Sequence, residues 1–319
     1  MPSLRRVVAR VQPILVVLAF AIMARLLAQQ WDGLRAHRWQ IHGSWLALSG
    51  ALIVSGWLIE IQVWRRALAL LGGRLRFADA IGIWFTSLIV RYVPGTIWHP
   101  LSMTVRCQAH DIRPPVTLAS MILMYVLHVL AVAMIASIDL GFGSRLSATV
   151  TSQFGTAVPA ALLAGTVLIV LVAPARMLRL VNRLVVKFGG EPFPLQLSTA
   201  SIALLLGLCL TEWIVLSAGF TALVAALAIP GATPLSSVAP QLMAAYPIAW
   251  LIGFLAVITP GGLAIREGVL YLLLSPTLGR ADAILVALAM RVWEVALELV
   301  MAGGVVAGGW GRGDAVIKN

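Results

Sequence analysis

The sequence predicts an all-α, polytopic membrane protein, and three observations lead to that prediction. Hydrophobic residues make up 61% of the chain, charged residues only 11%, and the mean hydropathy is +0.97. Apolar runs at least as long as the roughly 20 residues that cross a bilayer recur along the whole sequence. Two apolar regions are also interrupted by Pro-Gly sequences close to an arginine. A transmembrane β-barrel would instead show alternating segments of about ten residues, which the sequence lacks.

The distribution of charge predicts a membrane partner and no nucleic acid. The net charge is +11, but most basic residues lie in short loops between apolar runs. A nucleic-acid-binding protein needs them gathered on one soluble face. The positive-inside rule and anionic lipid headgroups account for the observed positions, so the chain is predicted to lie in a bacterial-type cytoplasmic (inner) membrane. Cys107 and Cys209 fall in or beside apolar helices and are predicted to pack rather than to pair.

The chain is predicted to form a single integral membrane domain over residues 1–319, with six spans and both termini on the cytoplasmic side. The predicted spans cover residues 11–28, 44–71, 114–138, 156–173, 197–229 and 283–310. A basic, amphipathic segment at about residues 175–190 is predicted to lie on the cytoplasmic surface, as a lipid-facing collar or as a specific lipid-binding segment.

Two further apolar regions are predicted to be re-entrant hairpins of opposite orientation. The first, at about residues 78–110, has arginines at both ends, which places both ends in the cytoplasm. The second, at about residues 238–274, has both ends outside by the order of the spans. Each hairpin with its flanking spans forms a unit of inverted topology, as in many secondary transporters whose substrates bind where broken helices meet. An inverted repeat is therefore a hypothesis, although the halves share only Pro-Gly with a nearby arginine.

The first interruption combines Arg91, Pro94 and Gly95, followed by Trp98 and His99. Proline removes a backbone donor and glycine tolerates unusual dihedral angles, so a helix can turn there and restart. The restarted helix presents free N–H groups and the positive end of its dipole inside the membrane. With Arg91 close by, this arrangement predicts an anion site for which phosphate is the obvious ligand, and His99 is placed to contact a headgroup.

The second interruption places Pro260, Gly261 and Gly262 just before Arg266 and Glu267, and it predicts the same kind of site. The alternative is purely structural, because proline and glycine are common in membrane helices whose neighbours satisfy the freed carbonyls. Arg266 and Glu267 are adjacent and point about 100° apart on a helix, so each is expected to find another partner.

Carboxylates in apolar helices are the other candidate site residues. Three charged residues share one face of the last span, namely Arg291, Glu294 and Glu298. They are predicted to supply counter-charges to Arg266 and Glu267. These ion pairs would serve either in ion coupling or in a purely structural network. Glu60 and Glu212 are isolated carboxylates that either couple protons, with burial favouring the neutral form, or hydrogen-bond a neighbouring backbone.

Enzymatic motifs are missing, so no enzyme, metal site or cofactor is predicted. The sequence has no H-E-x-x-H, G-x-S-x-G or Walker motif. A catalytic acid–base pair among the buried glutamates remains an open alternative. The enzyme in that case would be an intramembrane lipid-modifying transferase that uses Glu267 or Glu294 as its base.

The two interrupted regions, residues 91–98 (RYVPGTIW) and 259–268 (TPGGLAIREG), resemble the transmembrane-region family of lysylphosphatidylglycerol synthases, also called flippase-like membrane proteins. The similarity in layout extends over essentially the whole chain. The resemblance implies a carrier that moves lysyl-lipids, or polyprenyl-linked and other anionic lipids, across the cytoplasmic membrane by alternating access. The chain ends without the soluble aminoacyl-transferase domain of full synthases, which makes lipid aminoacylation an unexpected activity. A non-catalytic membrane partner of a lipid- or glycan-synthesis enzyme is a third expectation.

Overall fold

The computed structural model describes residues 41–88, 98–141, 182–183, 186, 198–227, 234–256, 262 and 264–309. This part of the chain is all-α, as predicted, and contains eight helices. They are α1 (Gly43–Leu70), α2 (Phe77–Leu88), α3 (Trp98–Gln108), α4 (Pro114–Gly141), α5 (Thr199–Ala226), α6 (Leu235–Leu255), α7 (Ile265–Leu278) and α8 (Arg280–Ala307).

Four helices, α1, α4, α5 and α6, are long and apolar enough to cross a membrane. The predicted spans 44–71, 114–138 and 197–229 coincide with α1, α4 and α5, and span 283–310 coincides with α8, a 28-residue helix that includes several charged side chains. The predicted spans 11–28 and 156–173 lie outside the described residues, as does most of the basic segment 175–190. Cys107 and Cys209 are buried and unpaired with each other, as expected for packing residues.

Helices α1 and α5 form an antiparallel pair at the centre of the described structure. The backbone N–H of His42, just before α1, donates to the carbonyl of Ala226 at the end of α5. Further along, the Ser49 hydroxyl donates to the Gly219 carbonyl over 2.8 Å. Gly219 permits this close approach, because a Cβ atom there would lie 2.8 Å from a side-chain carbon of Ile53. Small residues allow membrane helices to pack at short range in this way.

Helix α2 runs beside the C-terminal half of α1, starting from the Leu70 end. The Arg65 guanidinium lies over the ring of Phe77, which begins α2, and Phe85 contacts Trp57 near the middle of α1. The described part of α2 ends at Leu88, next to residues 89–97, which lie outside the described part of the chain.

Helix α3 runs back along α2. The Ser102 hydroxyl donates to that of Ser87 over 3.1 Å near the inner ends, and His110 interacts electrostatically with Asp79 at the outer ends. The outer ends of α2 and α3 therefore lie at the same end of the structure. The residues between them, which include Arg91, Pro94 and Gly95, lie outside the described part.

Helices α6 and α7 also lie antiparallel. The Gln241 amide near the start of α6 donates to the carbonyl of Leu273 near the end of α7, and Gly253 near the end of α6 packs against Arg266 at the start of α7. The interruption predicted from the sequence is present, since α6 ends at Leu255 and α7 begins at Ile265. Pro260 and Gly261 lie outside the described residues.

Helix α6 starts from the Ala226 end of α5, opposite to the end from which α2 starts. Its Tyr246 stacks on Phe220, and Phe254, close to its end, contacts Tyr125. Tyr125 lies about 16 Å along α4 from its first residue, so α6 ends part-way along α4. The α2–α3 and α6–α7 pairs thus extend into the structure from opposite ends.

Gly262 shapes the second interruption. Its φ angle is 69°, in the left-handed region that favours glycine, and a Cβ atom there would lie 3.1 Å from the carbonyl of Gly253. Ala264, the residue before α7, is also left-handed, with φ 65°. The chain therefore reverses direction tightly against the end of α6 before α7 begins.

Candidate functional site

The inner ends of the two helix pairs meet at one cavity of about 360 Å³. It is lined by residues from all eight described helices and from Gly262. Most of the site residues predicted from sequence line it, namely Glu60, His99, Glu212, Gly262, Arg266, Arg291, Glu294 and Glu298. The packing thus brings His99, which follows the first interruption, to the same cavity as Gly262 and Arg266 of the second.

Arg266 and Glu294 form a close ion pair in the lining of the cavity. A guanidinium nitrogen of Arg266 donates to a carboxylate oxygen of Glu294 over 2.8 Å, and both side chains are largely buried. The Tyr246 hydroxyl donates to the same oxygen, and its ring lies 4.7 Å from the guanidinium carbon. Charge-assisted hydrogen bonds and a cation–π contact together hold Arg266 in one position.

A second pair connects the same two helices. Nε of Arg291 on α8 lies 3.7 Å from a carboxylate oxygen of Glu267 on α7, which is an ion pair too long for a hydrogen bond. Arg266 and Glu267 therefore point to different partners on α8, as their adjacent positions on a helix require. Glu267 is buried but is not among the residues that line the cavity.

Carboxylates outnumber arginines in the described lining. Glu60, Glu212, Glu294 and Glu298 line the cavity beside only Arg266 and Arg291. Glu60, Glu298 and Arg291 each have further interactions, so this count leaves none of them without a partner.

His128 pairs with Glu212, a relationship that sequence reasoning missed. Nε2 of His128 lies 2.8 Å from a carboxylate oxygen of Glu212, and both side chains are 1% exposed. Nδ1 lies 2.8 Å from the carbonyl of Met124 and therefore donates to it. The available signal in the sequence was the position of His128 in the middle of an apolar helix, where a polar ring needs a partner.

Cys209 completes a group of three potential metal ligands, but the contacts favour hydrogen bonding. The donor atoms of His128, Cys209 and Glu212 lie within 4.8 Å of one another. However, the Cys209 sulfur lies 3.8 Å from Nδ1 of His128, whereas Glu212 contacts Nε2 on the other side of the ring. One imidazole offers a single nitrogen to a metal ion, so the three side chains do not converge on one ion in this arrangement.

Aromatic rings form much of the remaining surface. Trp213 contacts Trp250 at 4.9 Å between ring centroids, and Trp250 stacks on Phe254 at 5.0 Å. Phe254 in turn contacts Tyr125. This series of rings, which we call the aromatic series, joins α5, α6 and α4 along one side of the cavity. The buried Trp213 indole N–H has no hydrogen-bond partner among the described residues, which leaves a donor beside the cavity for water or a ligand.

Of the two predicted site residues at the start of α3, His99 lines the cavity and Trp98 does not. His99 is buried and contacts the ring of Trp84 edge-on at 5.8 Å, and both line the cavity. Trp98 is 41% exposed and is not a lining residue. Of the first interruption, therefore, the structure brings His99 to the cavity.

Comparisons with known proteins add no family assignment. Neither a protein-family model nor a curated protein sequence matches this chain. The proposals below accordingly depend on the residues of the cavity and on the resemblance of the two interrupted motifs.

Proposed function

We propose that this chain is a lipid translocase, a flippase-like carrier that moves an anionic or phosphate-bearing lipid across the cytoplasmic membrane by alternating access. The observation that supports it most is that His99, which follows the first interruption, lines one cavity together with Gly262 and Arg266 of the second, among helices long enough to cross a membrane. Secondary transporters place substrate sites where broken helices meet near the bilayer midplane. The resemblance to lysylphosphatidylglycerol synthase transmembrane regions, carried by residues 259–268, points to the same activity.

The proposed topology has six spans, two re-entrant hairpins of opposite orientation and an inverted repeat. The outer ends of α2 and α3 lie on the same side, because His110 just after α3 interacts with Asp79 in the first turn of α2. Helix α6 is long enough to cross, yet its end contacts Tyr125 part-way along α4, and α7 returns beside it. These contacts support a turn inside the bilayer for each pair.

In this proposal the headgroup phosphate binds to arginine and to backbone N–H groups. A guanidinium has five N–H donors, and only one nitrogen of Arg266 is committed to Glu294 in the hydrogen bonds described above. The start of α7 adds the positive end of a helix dipole, with no side chain capping it. Arg91, Pro94, Gly95, Pro260 and Gly261 remain part of the proposed site, as sequence-based assignments outside the described residues.

Alternating access follows from the positions of the two hairpins. Acyl chains stay in the bilayer while the headgroup occupies the cavity, whose lining combines ionisable, aromatic and aliphatic residues. Rocking of the hairpins against α1, α4 and α5 would then open the cavity to one side and close it to the other. The Arg266–Glu294 and Arg291–Glu267 pairs keep α7 and α8 together during that motion.

The transferase alternative draws support from Glu294, a buried carboxylate beside a cavity. Its Oε1 already accepts from both Tyr246 and Arg266, which favours a structural role over that of a base. Formation of a modified lipid by the purified protein would support the transferase. Co-purification with a lipid- or glycan-synthesis enzyme, without lipid movement by the protein alone, would support the third expectation of a membrane partner.

A reconstitution experiment tests the proposal. The protein is placed in phosphatidylcholine vesicles with a trace of acyl-labelled fluorescent phosphatidylglycerol, and dithionite reports the label that reaches the outer leaflet. We expect faster movement than in protein-free vesicles, and a loss of at least tenfold in Arg266→Ala, about 1.4 kcal/mol of lost interaction. The matched control is Arg280→Ala, an exposed arginine that does not line the cavity. Equal rates for wild type, Arg266→Ala and protein-free vesicles would contradict the proposal.

A further inference from the structure

The His128–Glu212 pair contains a proton that the hydrogen-bond geometry requires. Nδ1 of His128 donates to the Met124 carbonyl, because a carbonyl can only accept. The 2.8 Å contact between Nε2 and Glu212 must then contain a second hydrogen, either on the carboxyl group or on an imidazolium. Without that proton, a nitrogen lone pair would face a carboxylate, and the contact would be repulsive.

The pair also lies between the scaffold and the cavity. His128 is on α4 and Glu212 on α5, two of the long apolar helices, and Glu212 lines the cavity. Their hydrogen bond joins these helices across 84 residues of sequence. Gain or loss of one proton therefore makes or breaks a link within the transmembrane scaffold, at the place where the proposed headgroup binds.

Access of water to the pair depends on the α6–α7 hairpin. The His128 ring lies 6.2 Å from Trp213 and 6.2 Å from Trp250, the latter on α6. Trp250 belongs to the aromatic series, which covers the pair in the described state. A movement of α6 of the kind that alternating access requires would carry Trp250 away from His128 and expose the pair to water.

The charges around the pair link proton binding to anion binding. The titratable and charged groups that contact the pair or line the same cavity are Glu60 (α1), His99 (α3), Tyr125 (α4), Cys209 (α5), Tyr246 (α6), Arg266 (α7), and Arg291, Glu294 and Glu298 (α8). A deprotonated Glu212 places a negative charge at the cavity and repels an arriving anionic headgroup, and a protonated pair does not. Each ligand therefore favours the binding of the other, as thermodynamic linkage requires.

We propose that His128 and Glu212 form the proton-binding site of the carrier, and that one proton moves together with each singly charged anionic headgroup. The pair takes a proton from hydronium on one side, leaving water, and changes from neutral imidazole plus carboxylate to a net neutral hydrogen-bonded pair. The headgroup binds, the hairpins move, and the proton passes to water on the other side as the headgroup leaves. One positive and one negative charge move together, so the cycle is electroneutral. This inference rests on the proposed function.

The test imposes a pH gradient on the vesicles described above and measures the steady-state distribution of labelled phosphatidylglycerol. Symport predicts accumulation in the leaflet that faces the alkaline side, up to about tenfold per pH unit, whatever the orientation of the protein. Glu212→Gln keeps a neutral hydrogen-bonding group and is expected to distribute the label equally. Cys209→Ala, which removes the neighbouring thiol from the other side of the ring, is expected to accumulate label as wild type does.

Three outcomes would overturn the inference. They are label movement in wild type without any effect of the gradient, a gradient response that survives in Glu212→Gln, and loss of the response in Cys209→Ala, which would move the site to the thiol. In the first case the translocase proposal stands and only proton coupling fails.

Infrared spectroscopy provides a second measurement that needs no lipid movement. The carbonyl band of a protonated carboxylic acid should change with pH in wild type, and this change should be absent in Glu212→Gln and shifted in His128→Asn. A wild-type spectrum without the change, or the same change in Glu212→Gln, would overturn the proton site even if no label moves. Gel filtration establishes that each variant is folded.

Discussion

The guanidinium of Arg266 lies 2.8 Å from a carboxylate oxygen of Glu294, and this buried pair joins the start of α7 to the middle of α8 at the cavity. The pair has two effects at this position. It fixes the arginine that the proposed phosphate site needs, and it makes each partner depend on the other, because an ion left alone in a buried site is costly.

Arg266→Met should destabilise the protein by about 3–5 kcal/mol, because Glu294 would lose its nearest cation while remaining buried. The double variant Arg266→Met/Glu294→Gln should lose less than Arg266→Met alone, since the amide keeps a partner for Tyr246 and is uncharged. Unfolding by detergent titration, followed by tryptophan fluorescence, measures both. Additive losses in the double variant would show that the two residues are not coupled.

Gly219→Ala should weaken the α1–α5 pairing by about 1–3 kcal/mol, because its Cβ atom would lie 3.2 Å from the backbone nitrogen of Ile53 and closer to its side chain. Gly207→Ala on the same helix is the matched control, since nothing lies within 4 Å of its Cβ position. That variant is expected to be neutral or slightly stabilising, because alanine favours a helix over glycine. The same unfolding titration compares them, and equal effects would contradict the close packing of α1 on α5.

Gly262→Ala should combine two costs at the second interruption. A left-handed φ costs alanine about 1–2 kcal/mol, and the new methyl group would press on the carbonyl of Gly253. Gly309→Ala is the control for strain alone, because Gly309 has nearly the same φ, 68°, but its Cβ position is open. Gly262→Ala is expected to lose more stability and more lipid movement than Gly309→Ala. A larger effect at Gly309 would refute the proposed tight reversal.

Cysteine accessibility tests the proposed orientation of the hairpins. Gly43→Cys, Gln108→Cys and Arg280→Cys are placed singly at exposed positions, in a variant whose buried Cys107 and Cys209 are replaced by alanine. The topology predicts that a membrane-impermeant maleimide labels residues 43 and 280 from outside in intact cells, and residue 108 only after permeabilisation. Labelling of residue 108 from outside would contradict the first hairpin.

The long helices could be predicted from the sequence because the length and hydrophobicity of each apolar run match the bilayer core directly. The predicted span 44–71 differs by one residue at each end from α1, Gly43–Leu70. The spacing of Arg291, Glu294 and Glu298 on one face likewise led to α8 as the source of counter-charges for α7, where Arg266 meets Glu294.

The tertiary partners could not be predicted in the same way. The Tyr246 contact with Glu294 and the His128 contact with Glu212 join helices 48 and 84 residues apart, and no local pattern specifies which helices pack together. Helix α6, with 21 residues, is also longer than a short re-entrant segment, because Pro240 and Pro247 lie inside the helix without ending it. Neighbouring helices can satisfy the carbonyls that proline leaves free.

Native mass spectrometry of the purified protein tests the central claim most directly, because it asks whether an anionic lipid occupies the cavity. The account predicts that wild-type protein retains an anionic phospholipid. Arg266→Ala and Arg291→Ala are expected to lose that lipid, while Arg280→Ala retains it. Absence of anionic lipid from the wild-type protein, or equal retention by all three variants, would contradict the assignment of this cavity as a lipid headgroup site.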